Sequence, residues 1–214
     1  MTQLFQTFSA DFVSGFKYTI YASLLALVFS LIIGTIMAIL QLSHNRIIRS
    51  LAKAYVAFFR NIPLLIIVMF FYVVAPMYFY SFDGFQAGTI GLTIYTSAFI
   101  AETVRSGIQT VPKGQMEAGL SSGFSYSETM RYIVLPQAFK IVVPPLGNQF
   151  INLIKNSSIL AMVAGLDLMY QGDLIASTTF NTFDTYIIVG LFYLVLTLPL
   201  SYLMNYLDKY WSNA

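Results

Sequence analysis

The sequence predicts an all-α polytopic membrane protein, and two observations carry the prediction. Of its 214 residues 57% are hydrophobic and only 9% charged, whereas in a soluble domain about 25% are charged. The apolar residues also gather into five stretches, at 17–41, 61–80, 88–108, 140–164 and 185–207. Each has about the 20 residues that a helix needs to cross the hydrocarbon core. The chain, 1–214, therefore reads as one membrane domain of five transmembrane helices.

The first stretch follows Asp11 and a lone Lys17. It exceeds the roughly 7–15 apolar residues of a signal-peptide core and is expected to remain as a span. Ile47 to Phe59 mixes Ile, Leu, Tyr and Phe with Arg49 and Lys53 at helical spacing, and Arg60 follows. That pattern predicts a helix lying along the membrane surface. Pro63 is placed to start or kink the second span, and Pro76 either kinks it again or ends it. The clusters Phe70-Phe71-Tyr72 and Tyr78-Phe79-Tyr80 read as lipid-facing or interfacial belts.

A polar insert, about 109–139, separates the third and fourth spans. Gly114 to Ser122 is rich enough in Ala, Leu, Glu, Gln and Met for a short helix, and Gly123 suits the left-handed residue that stops it. Ser125-Tyr126-Ser127-Glu128 has the spacing of a capping box opening a second short helix. Pro136 is expected to mark its far end. Two short helices around a glycine corner form a knob suited to a groove on a partner.

Charge sets the predicted orientation. The connection after the first span carries Arg46, Arg49, Lys53 and Arg60, and the one after the third carries Lys113, Arg131 and Lys140. The connections 81–87 and 165–184 contain Asp83, Asp167, Asp173 and Asp184 but no Lys or Arg. By the positive-inside rule the first two connections are cytoplasmic, the amino terminus is outside and the carboxyl terminus, near Lys209, is inside.

Several function classes are excluded. There is no cysteine for a disulfide, thiolate chemistry or a cysteine-bound metal, and the one histidine, His44, lies in a basic connection and reads as a solvated loop residue. A Ser–His protease and a histidine metal site therefore lack their parts. The phosphate loop Gly-x-x-x-x-Gly-Lys-Ser/Thr is missing, so ATP chemistry would need another chain. A formal charge of +2 gives no reason to expect nucleic acid as a partner.

Glu117-Ala118-Gly119, then Gly123, then Ile133-x-Leu135-Pro136, resembles the coupling loop of ABC importer permeases, Glu-Ala-Ala, three residues, Gly, nine residues, Ile-x-Leu-Pro. Gly119 replaces the second Ala. Arg60-Asn61-Ile62-Pro63-Leu64-Leu65 resembles the Arg-Gly-Thr-Pro-Leu-Leu signature of the polar amino acid subfamily, with Asn61 and Ile62 as departures. Ala101-Glu102-x-x-Arg105-x-Gly107-Ile108-Gln109, Pro112-Lys113-Gly114-Gln115 and Pro144-Pro145-Leu146-x-Asn148-x-Phe150 continue the likeness. The resemblance implies a type I (MetI-like) importer permease fold in a bacterial cell membrane. It also implies a second permease, identical or homologous, an ATPase dimer inside that supplies ATP and Mg, and a solute-binding protein outside. Glu117, Ala118, Gly119, Gly123, Leu135 and Pro136 would form the ATPase coupling site. The chain would be a transport subunit with no cofactor, metal or catalytic residue of its own.

Glu102 and Lys155 fall inside apolar segments, where each charge costs about 2.5–3.5 kcal/mol at mid-span on insertion scales. Around Lys155 the residues Asn148, Gln149, Asn152, Asn156, Ser157 and Ser158 form a polar stripe, a poor match for lipid. The stripe can glue helices together. Alternatively Glu102, Lys155, Asn152, Asn156, Ser157 and Ser158 line a cavity for an amino acid, with Lys155 on its carboxylate and Glu102 on its ammonium. Glu102 can also pair with Lys155, or with Arg105 one turn on. In many permeases that the chain resembles, the position of Asn156 is Asp. Asn favours glutamine or glutamate over a cationic cargo such as arginine. An energy-independent channel or a regulatory membrane subunit is the rival from another class.

Overall fold

The computed structural model describes residues 1–212, and no strand occurs among them. Eight helices follow one another. α1 is Thr2–Gln41, bent at Phe8; α2 is Arg46–Asn61; α3 is Leu64–Tyr78; α4 is Gly84–Thr110. The short α5 is Lys113–Ser121, and the long α6 is Tyr126–Val163. Leu168–Thr179 forms α7 and Thr182–Ser212 forms α8.

α4 is the centre, with α1, α2, α3 and α6 packed around it. Lipid tails give helices no hydrophobic reason to associate, so close approach and polar contacts must hold them together. The sequence meets that demand with small residues. A Cβ added to Gly34 of α1 would lie 2.7 Å from Ile100 Cγ2, and one on Gly88 of α4 would lie 2.5 Å from Leu160 Cγ. Two of the hydroxyls buried in α4 bond locally: Thr93 donates to the Thr89 carbonyl and Ser97 to that of Ile94, both at 2.7 Å. With the Ser97 proton so used, the Tyr55 hydroxyl of α2 donates to Ser97 Oγ at 2.7 Å and ties the surface helix to the centre.

Among the described residues, only α1 and Thr182–Tyr210 are by themselves both long and apolar enough to cross a membrane. α2 with α3, bent by 104°, and α6 with α7, bent by 49°, reach that measure as pairs. α4 has the length, 27 residues, but its Gly, Thr and Ser make it less apolar. Its neighbours cover it, so it has little need of an apolar surface.

The structure alters four expectations. α1 begins at Thr2 rather than at 17, and its early turns pack Phe12 with Leu168, Ile175, Ile188 and Val189. The segment 165–184, expected as a connection, contains α7. Asp167 is fully buried there as the α7 cap, accepting from the amides of Met169 at 3.1 Å and Tyr170 at 3.3 Å. The second span starts only after Pro63, and its proline is absorbed rather than disruptive. A π turn, Phe70–Val74, closes on Ala75 just before Pro76. A second π turn, Met130–Val134, closes on Leu135 just before Pro136. A proline removes one amide and collides with the carbonyl four residues back, and one residue of π winding opens the backbone there. Pro136 therefore ends nothing: the second helix of the insert runs on into the fourth span.

Replacing Gly34 with Val is expected to overpack the α1–α4 contact by about 1–3 kcal/mol, whereas Gly190→Ala, with open space around it, should be neutral. Thermal unfolding of the two variants in detergent checks this, and equal midpoints would contradict the packing argument.

Candidate functional site

The insert is a knob on a lever. α5 ends in a Schellman motif: the Phe124 amide donates to the Gly119 carbonyl at 3.2 Å and the Gly123 amide to that of Leu120 at 3.1 Å. Gly123 takes the left-handed φ of +88° that the motif requires. The capping box of Ser125 and Glu128 is present, with the Ser125 amide donating to Glu128 at 2.8 Å. That backbone hydrogen bond, with a second from the Ser125 hydroxyl, holds the Glu128 carboxyl below its usual range. Gly119 is buried, and a Cβ there would lie 2.3 Å from Thr129 Cγ2. An alanine, as in the importer pattern, would collide with Thr129, so the departure follows from close packing of α5 on α6.

Val111, Val134 and Ala138, with Met116 and Met130 against them, anchor the insert to the ends of α4 and α6. Glu117, Ala118, Leu135 and Pro136 stay exposed. α6 runs unbroken from Tyr126 to Val163, so the insert and the wall of the membrane part share one helix. His44 stays exposed, and its ring meets Tyr126 edge-on at 6.1 Å beside the insert.

A groove lies between α4 and α6 in two adjoining sections that share Phe99 and Gln149. The smaller section, about 140 Å³, is lined by Tyr95, Thr96, Asn152 and Asn156 and holds no charge. The larger, about 330 Å³, lies toward the insert and is lined by Arg60, Glu102, Ser106 and Thr110 on one side and Ile141 and Pro145 on the other. Pro144 and Pro145 lie inside α6, where they cannot donate to the carbonyls of Lys140 and Ile141.

Glu102 is gripped by both arms of Arg105, with Nε donating to Oε2 at 3.1 Å and Nη2 to Oε1. Arg60 adds a looser ion pair at 3.9 Å. Among the alternatives open from sequence, the geometry therefore selects the Arg105 pair. Lys155 and Ser158 line a different cleft, with Met169, Tyr186 and Tyr193 of α7 and α8. Ser157 is fully buried and donates to the Ile154 carbonyl at 2.8 Å. The six expected cavity residues thus separate: Glu102, Asn152 and Asn156 share the α4–α6 groove, and the other three do not line it. Asn148, Asn152 and Lys155 are all exposed, a polar row on the outside of one copy of the chain. Arg60 and Phe99 went unrecognised in the sequence as parts of the groove. The signals for Arg60 there were its place after the surface helix, just before a span, and at the head of the Arg-Gly-Thr-Pro-Leu-Leu likeness; Phe99 had none.

The profile of the family described as binding-protein-dependent transport system inner membrane component matches residues 8–213. The chain is 58% identical over 206 residues to the probable glutamine ABC transporter permease protein GlnM of Bacillus subtilis (strain 168), covering 96% of this chain and 95% of the relative. A crystal structure of an amino acid ABC transporter with histidines superposes with a TM-score of 0.90 at 34% identity, over 95% of each chain. A methionine ABC transporter in an inward-facing conformation shares the fold, with a TM-score of 0.78 at 20% identity over 93% of this chain and 95% of that one.

The Glu102–Arg105 pair sits on a half-buried helix face, so removing one partner strands the other. Arg105→Met should destabilise more than the double replacement with Glu102→Gln. A double-mutant cycle by thermal unfolding should give a coupling of about 0.5–3 kcal/mol; additive effects would mean that the pair is incidental.

Proposed function

The chain belongs to the binding-protein-dependent transport system inner membrane components, a transport subunit rather than an enzyme, and we propose that it carries glutamine or a closely similar amino acid inward. The observation that carries the reading is the α4–α6 groove: amides in one section, and in the other the Arg60 guanidinium beside a Glu102 carboxylate that Arg105, outside the lining, already neutralises. Counted together, Glu102, Arg60 and Arg105 leave one positive charge. Such a groove repels arginine or lysine and accepts a carboxylate, while the amides of Gln149, Asn152 and Asn156 match a carboxamide side chain. The name of the Bacillus subtilis relative points to the same cargo.

In this reading the exposed Asn148 and Asn152 face a second permease copy across the path. The insert lies in the cytoplasm against a dimer of ATPase subunits holding ATP and Mg, with Glu117, Ala118, Gly119, Gly123, Leu135 and Pro136 at or behind the contact. The amino terminus lies outside, where a solute-binding protein delivers cargo. ATP binding draws the two knobs together and, through α6, tilts the wall of the groove; hydrolysis returns it, a shift between two populations. The deciding experiment is ATP-dependent uptake by vesicles containing the reconstituted complex, screened across the common amino acids. Preference for arginine over glutamine would reject the cargo assignment, and uptake without ATP would reject the importer.

Glu117→Lys, on the exposed face of α5, is expected to abolish most uptake while membrane insertion stays normal; uptake at the unmodified level would remove α5 from the coupling contact. For orientation, cysteines introduced at the exposed positions Ser122 and Ser177 should differ toward an impermeant thiol reagent applied to intact cells. Position 177 is expected to label and 122 to be spared, and the opposite pattern would invert the topology.

A further inference from the structure

Among the described residues Arg60 is the one cation that lines the groove, and no hydrogen bond takes up its charge. Both oxygens of Glu102 are already engaged by Arg105, so the 3.9 Å contact from Arg60 is a secondary one. The guanidinium of Arg60 makes no hydrogen bond among the described residues. It rests over the ring of Phe99, 5.3 Å from its centre, with 39% of the side chain exposed, and it lines the larger section of the groove. A guanidinium presents a planar fork of donors that fits a carboxylate at two points. Half out of water, with an aromatic face beneath it and only a loose ion pair, this fork is set to receive one.

Phe99 adds a second, independent observation: it lines both sections of the groove. Arg60 leans on the residue that stands between the uncharged amide section and the charged one. Leaving Glu102 costs Arg60 little, because Arg105 keeps that carboxylate neutralised.

From these contacts we propose that the larger section of the groove is a cargo station on the insert side, in which Arg60 holds the α-carboxylate of the amino acid. This assigns to Arg60 the role expected from sequence for Lys155, which lines another cleft. The inference rests on the α4–α6 groove being the cargo path.

The test is equilibrium binding to the purified permease–ATPase complex in lipid nanodiscs, without the solute-binding protein, using radiolabelled glutamine and its carboxamide, glutaminamide. The native complex should prefer glutamine by about tenfold or more, the range of one charge-assisted contact. Arg60→Gln should bring the ratio near one by weakening glutamine alone, with unchanged glutaminamide binding serving as the control for folding. Arg60→Lys, which keeps the charge without the fork, should fall between. Asn152→Leu should weaken both compounds and keep the ratio. A ratio that survives Arg60→Gln, equal loss of both compounds in that variant, or a native complex that does not discriminate would each overturn the assignment to Arg60. If Asn152→Leu changes neither affinity while the Arg60 variants behave as stated, the error lies in the amide section instead.

Discussion

The structure depends on one constraint: α4, long enough to span a membrane but not apolar enough to do so alone, has to be enclosed by the others. In lipid, burying Leu against Leu gains little, so enclosure rests on close approach at glycines and on hydroxyls that satisfy themselves against their own helix. Gly34 against Ile100, Gly88 against Leu160 and the inward hydroxyls of Thr93 and Ser97 are instances. Because this helix is shielded, it can carry Glu102 and Arg105 where a lipid-facing helix could not. The groove is thus a product of the packing.

Two π turns link that packing to motion. Each directly precedes a proline, Pro76 or Pro136, and each lets a helix continue where proline alone would break it. At Pro136 the consequence is mechanical: the knob formed by α5 and the start of α6 is continuous with the helix that walls the groove. A break there would have left a flexible joint between the proposed ATPase contact and the cargo path. The tight seat of Gly119 on Thr129 has the same effect, binding α5 to α6 so that the two move together.

The electrostatics of the groove follow from satisfying Glu102 twice. A single arginine would leave the section neutral. The second, reaching in from the end of the surface helix, makes it positive and supplies a donor fork with unmet hydrogen bonding. In the proposed reading that surplus favours a cargo with a carboxylate over one with an extra cation.

Much was legible from sequence because it is local. Span lengths follow from apolar runs, the surface helix from its amphipathic spacing, and the glycine corner and the Ser125–Glu128 box from residues three or four apart. The likeness to importer permeases rests on spacings of the same kind. What needed the tertiary structure is what depends on neighbours. α7 was hidden because its cap, Asp167, read as a loop charge, whereas burial under α1 makes it a helix start. Pro136 read as a stop because a π turn leaves no mark in composition. Glu102 and Lys155 read as opposite poles of one cavity, since sequence gives the face of a residue on its own helix but not the helix which that face meets. The contact between α4 and α6 decided that Arg60, distant in sequence, shares the groove with Glu102 while Lys155 turns toward α8. Local periodicity determines which helices form; only the packing of those helices determines which charges meet.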